Sequence, residues 1–235
     1  MPSHRIVFAA VLFFSLGSVL APKSAGAETR PTVVELFTSQ GCSSCPPADA
    51  LLGEIAKRPD VIALGFHIDY WDGLGWKDPF STPQSTARQR AYARQFGTPI
   101  YKPQLVVDGA REMVGFRRDD VIAALREASP AAVAPVTFAA DRRSVTIGPA
   151  AAASGAGQVL LVRFVQKRTT PVVAGENARR TLEDTNSVET LSTLGELQGT
   201  PATFPLDPPA AGEGVAVLVQ APDGLILGAA VLLGS

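Results

Sequence analysis

The stretch VVELFTSQGCSSCPPADALL, Val33 to Leu52, passes from an apolar run through a polar turn into a helical pattern. Its first part is short, apolar and partly β-branched, which predicts a buried strand. Two prolines follow Cys45 where a first helical turn tolerates them, and apolar residues then recur at helical spacing. The only two cysteines of the chain, Cys42 and Cys45, therefore lie three positions apart at a strand-to-helix junction.

The sequence around this junction continues to alternate between strand and helix patterns. From Pro31 to about Glu127 the predicted order is β-α-β-α-β-β-α, which is typical of an α/β domain. The later segments are the strand DVIALGFHI, the helix TARQRAYARQFG with a stop at Gly97, the strands PQLVVDG and REMVGF, and the helix RRDDVIAALREA with Asp119 or Asp120 as its N-cap.

The composition changes near Ser129, where alanine, proline and glycine become frequent. QVLLVRFVQ is the clearest strand beyond this point, and GVAVLVQAPDGLILGAAVL is typical of a hairpin that turns at Asp223-Gly224. We expect an antiparallel β domain over residues 130–235, packed on a first domain over residues 28–129. The predicted fold class is thus α/β with a C-terminal antiparallel β domain.

The N-terminus has the pattern of a secretory signal peptide over residues 1–27. His4 and Arg5 precede the apolar segment Ile6–Leu20, and Ala25 and Ala27 occupy the small-residue positions of a cleavage site. The apolar segment is shorter than the roughly 20 residues that span a bilayer, so no stable membrane insertion is expected after cleavage. The predicted location is periplasmic or secreted, and an uncleaved N-terminal anchor is the alternative.

Composition and motifs exclude several classes of function. The formal net charge is −1 at pH 7, and cleavage would remove Arg5 and Lys23, which argues against a nucleic-acid partner. The sequence has no G-x-S-x-G, no H-E-x-x-H and no glycine-rich phosphate loop. Two cysteines are too few to build a disulfide scaffold, so the fold must depend on apolar packing.

The cysteine pair could bind a metal, form an inert disulfide or transfer electrons. We expect Cys42 to be exposed at the positive end of the helix, where free N–H groups lower its pKa. Cys45, one turn inside the helix, could then resolve a mixed disulfide. The pattern favours a redox-active Cys42-Cys45 disulfide without an organic cofactor, with exported protein thiols or a redox partner protein as partners.

Two alternatives stay open at this point. His67 is the only histidine left after cleavage, and with Cys42 and Cys45 it could bind copper(I), whereas structural zinc usually has four protein ligands. The prediction is nevertheless that no metal is bound. The other alternative is a permanent structural disulfide. For the whole protein, the alternative to an oxidoreductase is a non-catalytic binding module, which carries copper(I) or recognises a partner through the loop of Trp71 and Trp76.

This part of the sequence, Thr32 to about Ala128, resembles the thioredoxin fold. That fold pairs such a cysteine motif with a proline, usually cis, that starts the next strand, and the segment KPQLVVDG supplies Pro103. The resemblance implies that Pro103 places its backbone against the disulfide. It also implies a buried acid that relays a proton for the second cysteine, for which Glu35 is the candidate. A glutamate with a purely structural role is the alternative.

A closer resemblance is to the DUF1223 family, secreted bacterial proteins with a thioredoxin-like domain and no settled function. The segments that carry it are VVELFTSQGCSSCPPAD, HIDYWDGLGWKDPF, PQLVVDG and the GEN at Gly175. In that family a threonine is expected before the proline, whereas this chain has Lys102. A lysine amine that points toward Cys42 would lower its pKa and favour a more oxidising couple.

Two further segments are candidates for binding. FHIDYWDGLGWKDPF leaves the second predicted strand, and its Tyr70, Trp71 and Trp76 could bind substrate, or could form a small core under a long loop. GENARRTLEDTN, from Gly175 to Asn186, is either a solvated polar loop or a loop that folds over the first domain near the cysteines.

Overall fold

The structure, a computed structural model, describes Met1 and residues 29–128, 134–149, 157–197 and 199–234. The predicted signal peptide, apart from Met1, lies outside the described residues, and so does the predicted domain boundary at residues 129–130. The elements are β1 (Thr32–Thr38), α1 (Pro46–Ile55), β2 (Val61–His67), α2 (Pro83–Phe96), β3 (Gln104–Val107), β4 (Arg111–Val114), α3 (Arg118–Glu127), β5 (Val136–Phe138), β6 (Ser144–Ile147), β7 (Gly157–Val172), β8 (Arg180–Leu197), β9 (Ala202–Pro205), β10 (Glu213–Gln220) and β11 (Ile226–Leu233).

The first seven elements follow the predicted order β-α-β-α-β-β-α. Strand β1 pairs in parallel with β2 and antiparallel with β3, and β3 pairs antiparallel with β4. The spatial order of these strands is therefore β2-β1-β3-β4. Helices α1 and α3 share one apolar cluster with Val34 and Leu36, whereas Tyr92 of α2 packs with Val33 and Phe37 on the other face.

The observed ends of α2 and α3 agree only in part with the ends predicted from the sequence. Helix α2 begins before the predicted segment, because Thr82 accepts a hydrogen bond from the Ser85 N–H and Pro83 follows it as the first helical residue. It ends at Gly97 as predicted, with φ 66°. The N-cap predicted for α3 is wrong: the residue before the helix is Arg117, which makes no side-chain cap bond, and Asp119 and Asp120 lie in the first turn.

The second half is antiparallel, as predicted, and the hairpin of β10 and β11 turns through Gly224, whose φ is 88°. Its main strands do not form a separate layer. They extend the first sheet into an eight-stranded one with the order β11-β10-β7-β8-β2-β1-β3-β4, in which Gly65 of β2 pairs with Ser187 of β8. Strands β5, β6 and β9 form a second, three-stranded sheet.

The central position of β1 explains why all seven of its residues are buried. Successive side chains of a strand point to opposite faces, so Val34 and Leu36 meet α1 while Val33, Glu35 and Phe37 point toward α2. The described residues contain no helix with the length and hydropathy needed to cross a bilayer. The fold is thus a mixed α/β one, with a large sheet and few helices, and the cysteine turn lies between β1 and α1.

Candidate functional site

The cysteine turn ends at Cys45, which is the N-cap of α1. The prediction that Cys45 lies one turn inside the helix is wrong, because Pro46 and Pro47 occupy the first two helical positions. Prolines have no N–H, so these two positions offer no donor to an anion. The turn is closed instead by a hydrogen bond from the Cys45 N–H to the Cys42 carbonyl, with an N–O distance of 3.2 Å.

Both cysteines are free thiols, and both are buried, with relative exposures of 3% for Cys42 and 0% for Cys45. The expected exposure of Cys42 is therefore corrected: the turn is covered by loops from both halves of the chain. The Cys42 sulfur lies 3.2 Å from the Ser44 hydroxyl oxygen. The donors to this sulfur come from the turn itself and not from the end of the helix.

The two thiols differ strongly in acidity. A hydrogen bond from Cys45 lowers the pKa of Cys42 to about 6, against the opposing effect of burial and with help from Ser44 and the charge on Lys102. Burial raises the pKa of Cys45 well above its ordinary value, and the hydrogen bond to Cys42 and the nearby Asp49 carboxylate add to this. Within the pair, the thiolate is therefore favoured on Cys42 and the proton on Cys45.

Asp49 is a buried acid that sequence analysis missed. Its position four residues after Cys45 puts both side chains on one face of α1, and this spacing was the available signal. Burial and the neighbouring charge of Asp184 raise the pKa of Asp49 to about 7. A carboxyl with this pKa can accept or release a proton at neutral pH.

Glu35 is bound by side chains of α2, and no contact with the cysteines is found among the described residues. Its side chain lies on the α2 face of β1, where one carboxylate oxygen accepts hydrogen bonds from Arg88 Nη2 at 2.9 Å and from the Tyr92 hydroxyl at 2.6 Å. Arg88 Nε donates to the other oxygen. Both carboxylate oxygens are thus bound by side chains of α2, so the structure supports the alternative of a structural glutamate.

His67 lies in a buried cluster of carboxylates. Its Nδ1 is 2.7 Å from Asp78 and its Nε2 is 3.8 Å from Asp184. Burial by itself lowers the pKa of His67, but these carboxylates and Asp49 raise it to about 9. Both ring nitrogens thus face carboxylates, and no group of three metal-ligating residues in the described part of the chain is arranged to hold a metal. The alternative ligand set of Cys42, Cys45 and His67 is not assembled.

Pro103 and Lys102 lie beside the turn. The bond between them is cis, and Pro103 is buried immediately before β3. A side chain on Gly115 would lie 3.2 Å from the Cβ of Ala48 in α1 and 3.5 Å from that of Pro103, so the proline is adjacent to the first turn of α1. Lys102 Nζ lies 3.0 Å from the centre of the Trp71 ring, and its charge contributes to the low pKa of Cys42.

The aromatic loop after β2 contacts the cysteine turn directly. Trp71 Nε1 donates to the Gly41 carbonyl at 3.1 Å, and Trp76 Nε1 donates to the Gln40 side chain at 3.3 Å. Tyr70, Trp71 and Trp76 are each half-buried. The polar edges of the two indoles are therefore used within the protein, and substrate binding by these three residues stays a prediction for their exposed faces.

The polar loop at Gly175 folds over the cysteine turn. The Ser43 N–H donates to Glu176 Oε2 at 2.8 Å, and Asn177 Nδ2 donates to the carbonyls of Gln40 and Cys42, each at 2.9 Å. Of the two interpretations of this segment, the solvated loop is wrong for Asn177, which is completely buried. Both loop interpretations are wrong for residues 180–186, which belong to β8. The site is thus built by both halves of the chain.

Comparisons with known proteins agree with this architecture. A family profile described as "Protein of unknown function (DUF1223)" matches residues 33–220. A crystal structure of a structural-genomics target protein from Agrobacterium tumefaciens has 31% sequence identity and a TM-score of 0.72, over 89% of this chain and 97% of that one. HBP35 of Porphyromonas gingivalis has 15% identity and a TM-score of 0.57, over 89% of this chain and 78% of that one, which shows similarity of fold alone. No curated protein matches the chain.

Proposed function

The chain belongs to the DUF1223 family, whose function is unknown, and from its cysteine pair we propose that it is a thiol-disulfide oxidoreductase that acts on exported proteins. The observation that carries this proposal is the different setting of the two thiols: the Cys42 sulfur lies 3.2 Å from the Ser44 hydroxyl, whereas Cys45 is completely buried at the N-cap of α1. The pKa of Cys42 is lowered to about 6, whereas that of Cys45 is raised. A nucleophile needs a thiolate, and a resolving thiol must stay protonated until the mixed disulfide has formed.

The reaction has two steps. The Cys42 thiolate attacks a substrate disulfide, forms a mixed disulfide and releases the first substrate sulfur as a thiolate. Cys45 then loses its proton and attacks the Cys42 sulfur, which forms the Cys42-Cys45 disulfide and releases the second substrate thiol. The substrate gains two electrons and the protein loses two. The reverse sequence, starting from the disulfide form, oxidises a substrate dithiol.

Asp49 is the proposed proton acceptor for Cys45 in the second step, in place of Glu35. Its pKa of about 7 suits transfer in either direction at neutral pH, and its charge acts on Cys45 from the same helix. We expect Asp49→Asn to slow the release of the mixed disulfide by about 100-fold while leaving its formation nearly unchanged. Asp119→Asn, an exposed carboxylate in α3, is the control.

The proposed fold assignment is a thioredoxin-like one for β1 to α3. It is supported by the strand order β2-β1-β3-β4, by α2 alone on one face with α1 and α3 on the other, and by Pro103 ahead of β3 beside α1. Lys102 in place of the threonine expected in the family favours an oxidising couple. The periplasmic or secreted location is proposed from the signal pattern over residues 1–27.

The proposal is tested by the reduction potential of the pair and by trapping. We expect a potential between about −120 and −270 mV, with reduction of insulin or refolding of a scrambled protein. Cys45→Ala expressed in cells should accumulate mixed disulfides with exported proteins, and the Cys42→Ala, Cys45→Ala double variant should trap none. A trapping variant that stays free of partners, together with no exchange activity in vitro, would rule the function out.

The near-complete burial of Cys42 favours a second candidate, a non-catalytic module that recognises a partner through the loop of Trp71 and Trp76. This candidate predicts no exchange with small disulfides, whereas a potential far below −300 mV would make the pair a structural disulfide. A copper(I) carrier has less support, because His67 is held between Asp78 and Asp184. It would be indicated by a stoichiometric copper(I) complex that is lost in Cys42→Ser.

A further inference from the structure

Two consecutive residues of the loop between β7 and β8 hold a single peptide group of the cysteine turn. The carbonyl of Cys42 accepts a hydrogen bond from Asn177 Nδ2, and the N–H of the same peptide group, on Ser43, donates to Glu176 Oε2. The C=O and N–H of a planar trans peptide point in opposite directions. The group is therefore held at both ends, which fixes its rotation.

Asn177 is itself fixed in one orientation. Its Nδ2 bonds to both the Gln40 and Cys42 carbonyls, while its Oδ1 accepts a hydrogen bond from Arg180 Nη1 at 2.9 Å. The Gly41 carbonyl between them is held by Trp71. Three successive carbonyls of the turn are thus bound by side chains from outside it, and a buried amide with all these bonds made is rigid.

The direction of this peptide group determines where the next residue points. Ser44, through its backbone N–H and its hydroxyl, lowers the pKa of Cys42, and its hydroxyl oxygen is 3.2 Å from the sulfur. Rotation of the Cys42–Ser43 peptide would turn these donors away. The other titratable or charged groups that act on Cys42 are Cys45 at the N-cap of α1, Asp49 within α1, Lys102 ahead of β3 and Tyr70 after β2. Glu176 is bonded to the neighbouring Ser43.

We infer that Asn177, a residue of the second half of the chain, is the positioning residue of the nucleophile: it orients the Cys42–Ser43 peptide so that the Ser44 donors face the Cys42 sulfur. This inference deepens the proposed function, because it makes the reactivity of one half of the protein depend on the other. Thiol acidity can nevertheless be measured without any turnover, so the two ideas can fail separately.

The test is the pH dependence of Cys42 alkylation by iodoacetamide in the fully reduced protein. Asn177→Leu keeps the size of the side chain and removes its donors, and we expect the midpoint to rise by about one pH unit, which is a several-fold loss of rate at pH 6. Asn186→Gly is the matched control, since Asn186 Nδ2 donates to the Ala63 carbonyl at 2.8 Å and also links the two halves. It should leave the midpoint unchanged, and glycine tolerates the φ of 48° at this position.

A folded Asn177→Leu protein with the midpoint of the unchanged protein would overturn the inference, and so would an equal shift in Asn186→Gly. If Asn177→Leu does not fold, the alkylation midpoint is measured in Arg180→Met instead. Arg180 is exposed, and its loss removes one of the three hydrogen bonds that orient the Asn177 amide. The midpoint should then rise by a smaller amount, and no rise would refute the positioning role. If Asn177→Leu shifts the alkylation midpoint but the unchanged protein has no exchange activity, the positioning role is supported and the proposed function is rejected.

Discussion

Asp49→Asn is predicted to make the protein more stable at high pH. A buried carboxyl whose pKa is raised from 3.8 to about 7 is easier to ionise in the unfolded chain than in the folded one. The unfolded state therefore releases this proton first as pH rises. Folding stability should fall between pH 3.8 and pH 7 and stay low above that range.

The size of this effect follows from the two pKa values. A difference of about three pH units at about 1.4 kcal/mol each gives ~4 kcal/mol of destabilisation above pH 7. Asparagine cannot ionise, so the variant should recover much of this energy at pH 8 and almost none at pH 4. A buried carboxyl that lowers the folding stability at neutral pH is better explained by a role in proton transfer than by a structural role.

The assay is urea denaturation of the reduced protein at pH 4 and pH 8, followed by circular dichroism. Asp119→Asn, on the surface of α3, is the control and should change stability little at either pH. Equal stability of Asp49→Asn and the unchanged protein at pH 8 would refute the argument. So would a gain of the same size at both pH values, since ionisation of Asp49 could not produce it.

Three other changes test the rest of the structure. Arg88→Met should cost about 3–5 kcal/mol in urea denaturation because it leaves Glu35 charged and buried, and pairing it with Glu35→Met should restore most of the loss. His67, with a pKa raised to about 9, should contribute about 3 kcal/mol below pH 6.5 that is lost as pH rises through 9, and His67→Gln should lack this fall. Gly214→Ala would bring a methyl to 2.2 Å from the Phe164 ring and should lower stability by about 1–3 kcal/mol, seen as a lower Tm.

The order of elements from β1 to α3 could be predicted because each has a clear periodicity and ends at a glycine, a proline or a polar turn. The pairing of the two halves into one sheet could not be predicted. Alternation shows which face of a strand is buried, but it does not say which strand lies beside it, so the pairing of β8 with β2 left no local signal. The long polar pattern of β8 also hid the buried Asp184.

The candidate site could likewise be predicted only where its residues belong to a local motif. The cysteines, Pro103 and Lys102 were found from a local motif and a resemblance, and the structure brings them together. Glu35 was selected by its distance along the chain from Cys42, although a strand residue two positions from Phe37 must share its face, which is that of α2. Asp49 could have been found from its helical spacing to Cys45, whereas Asn177 is 135 residues from Cys42 and had no signal beyond a polar cluster.

The distance along the chain between Asn177 and Cys42 has a consequence for biosynthesis. The first strands and α1 are made long before β7 and β8, and contacts of such high sequence separation form late in folding. A nascent chain that has made only its first half has the cysteine turn, Ser44 and Lys102, but it lacks the hydrogen bonds from Glu176 and Asn177. The final conformation of the turn, and with it the full acidity expected of Cys42, is then a property of the completed polypeptide.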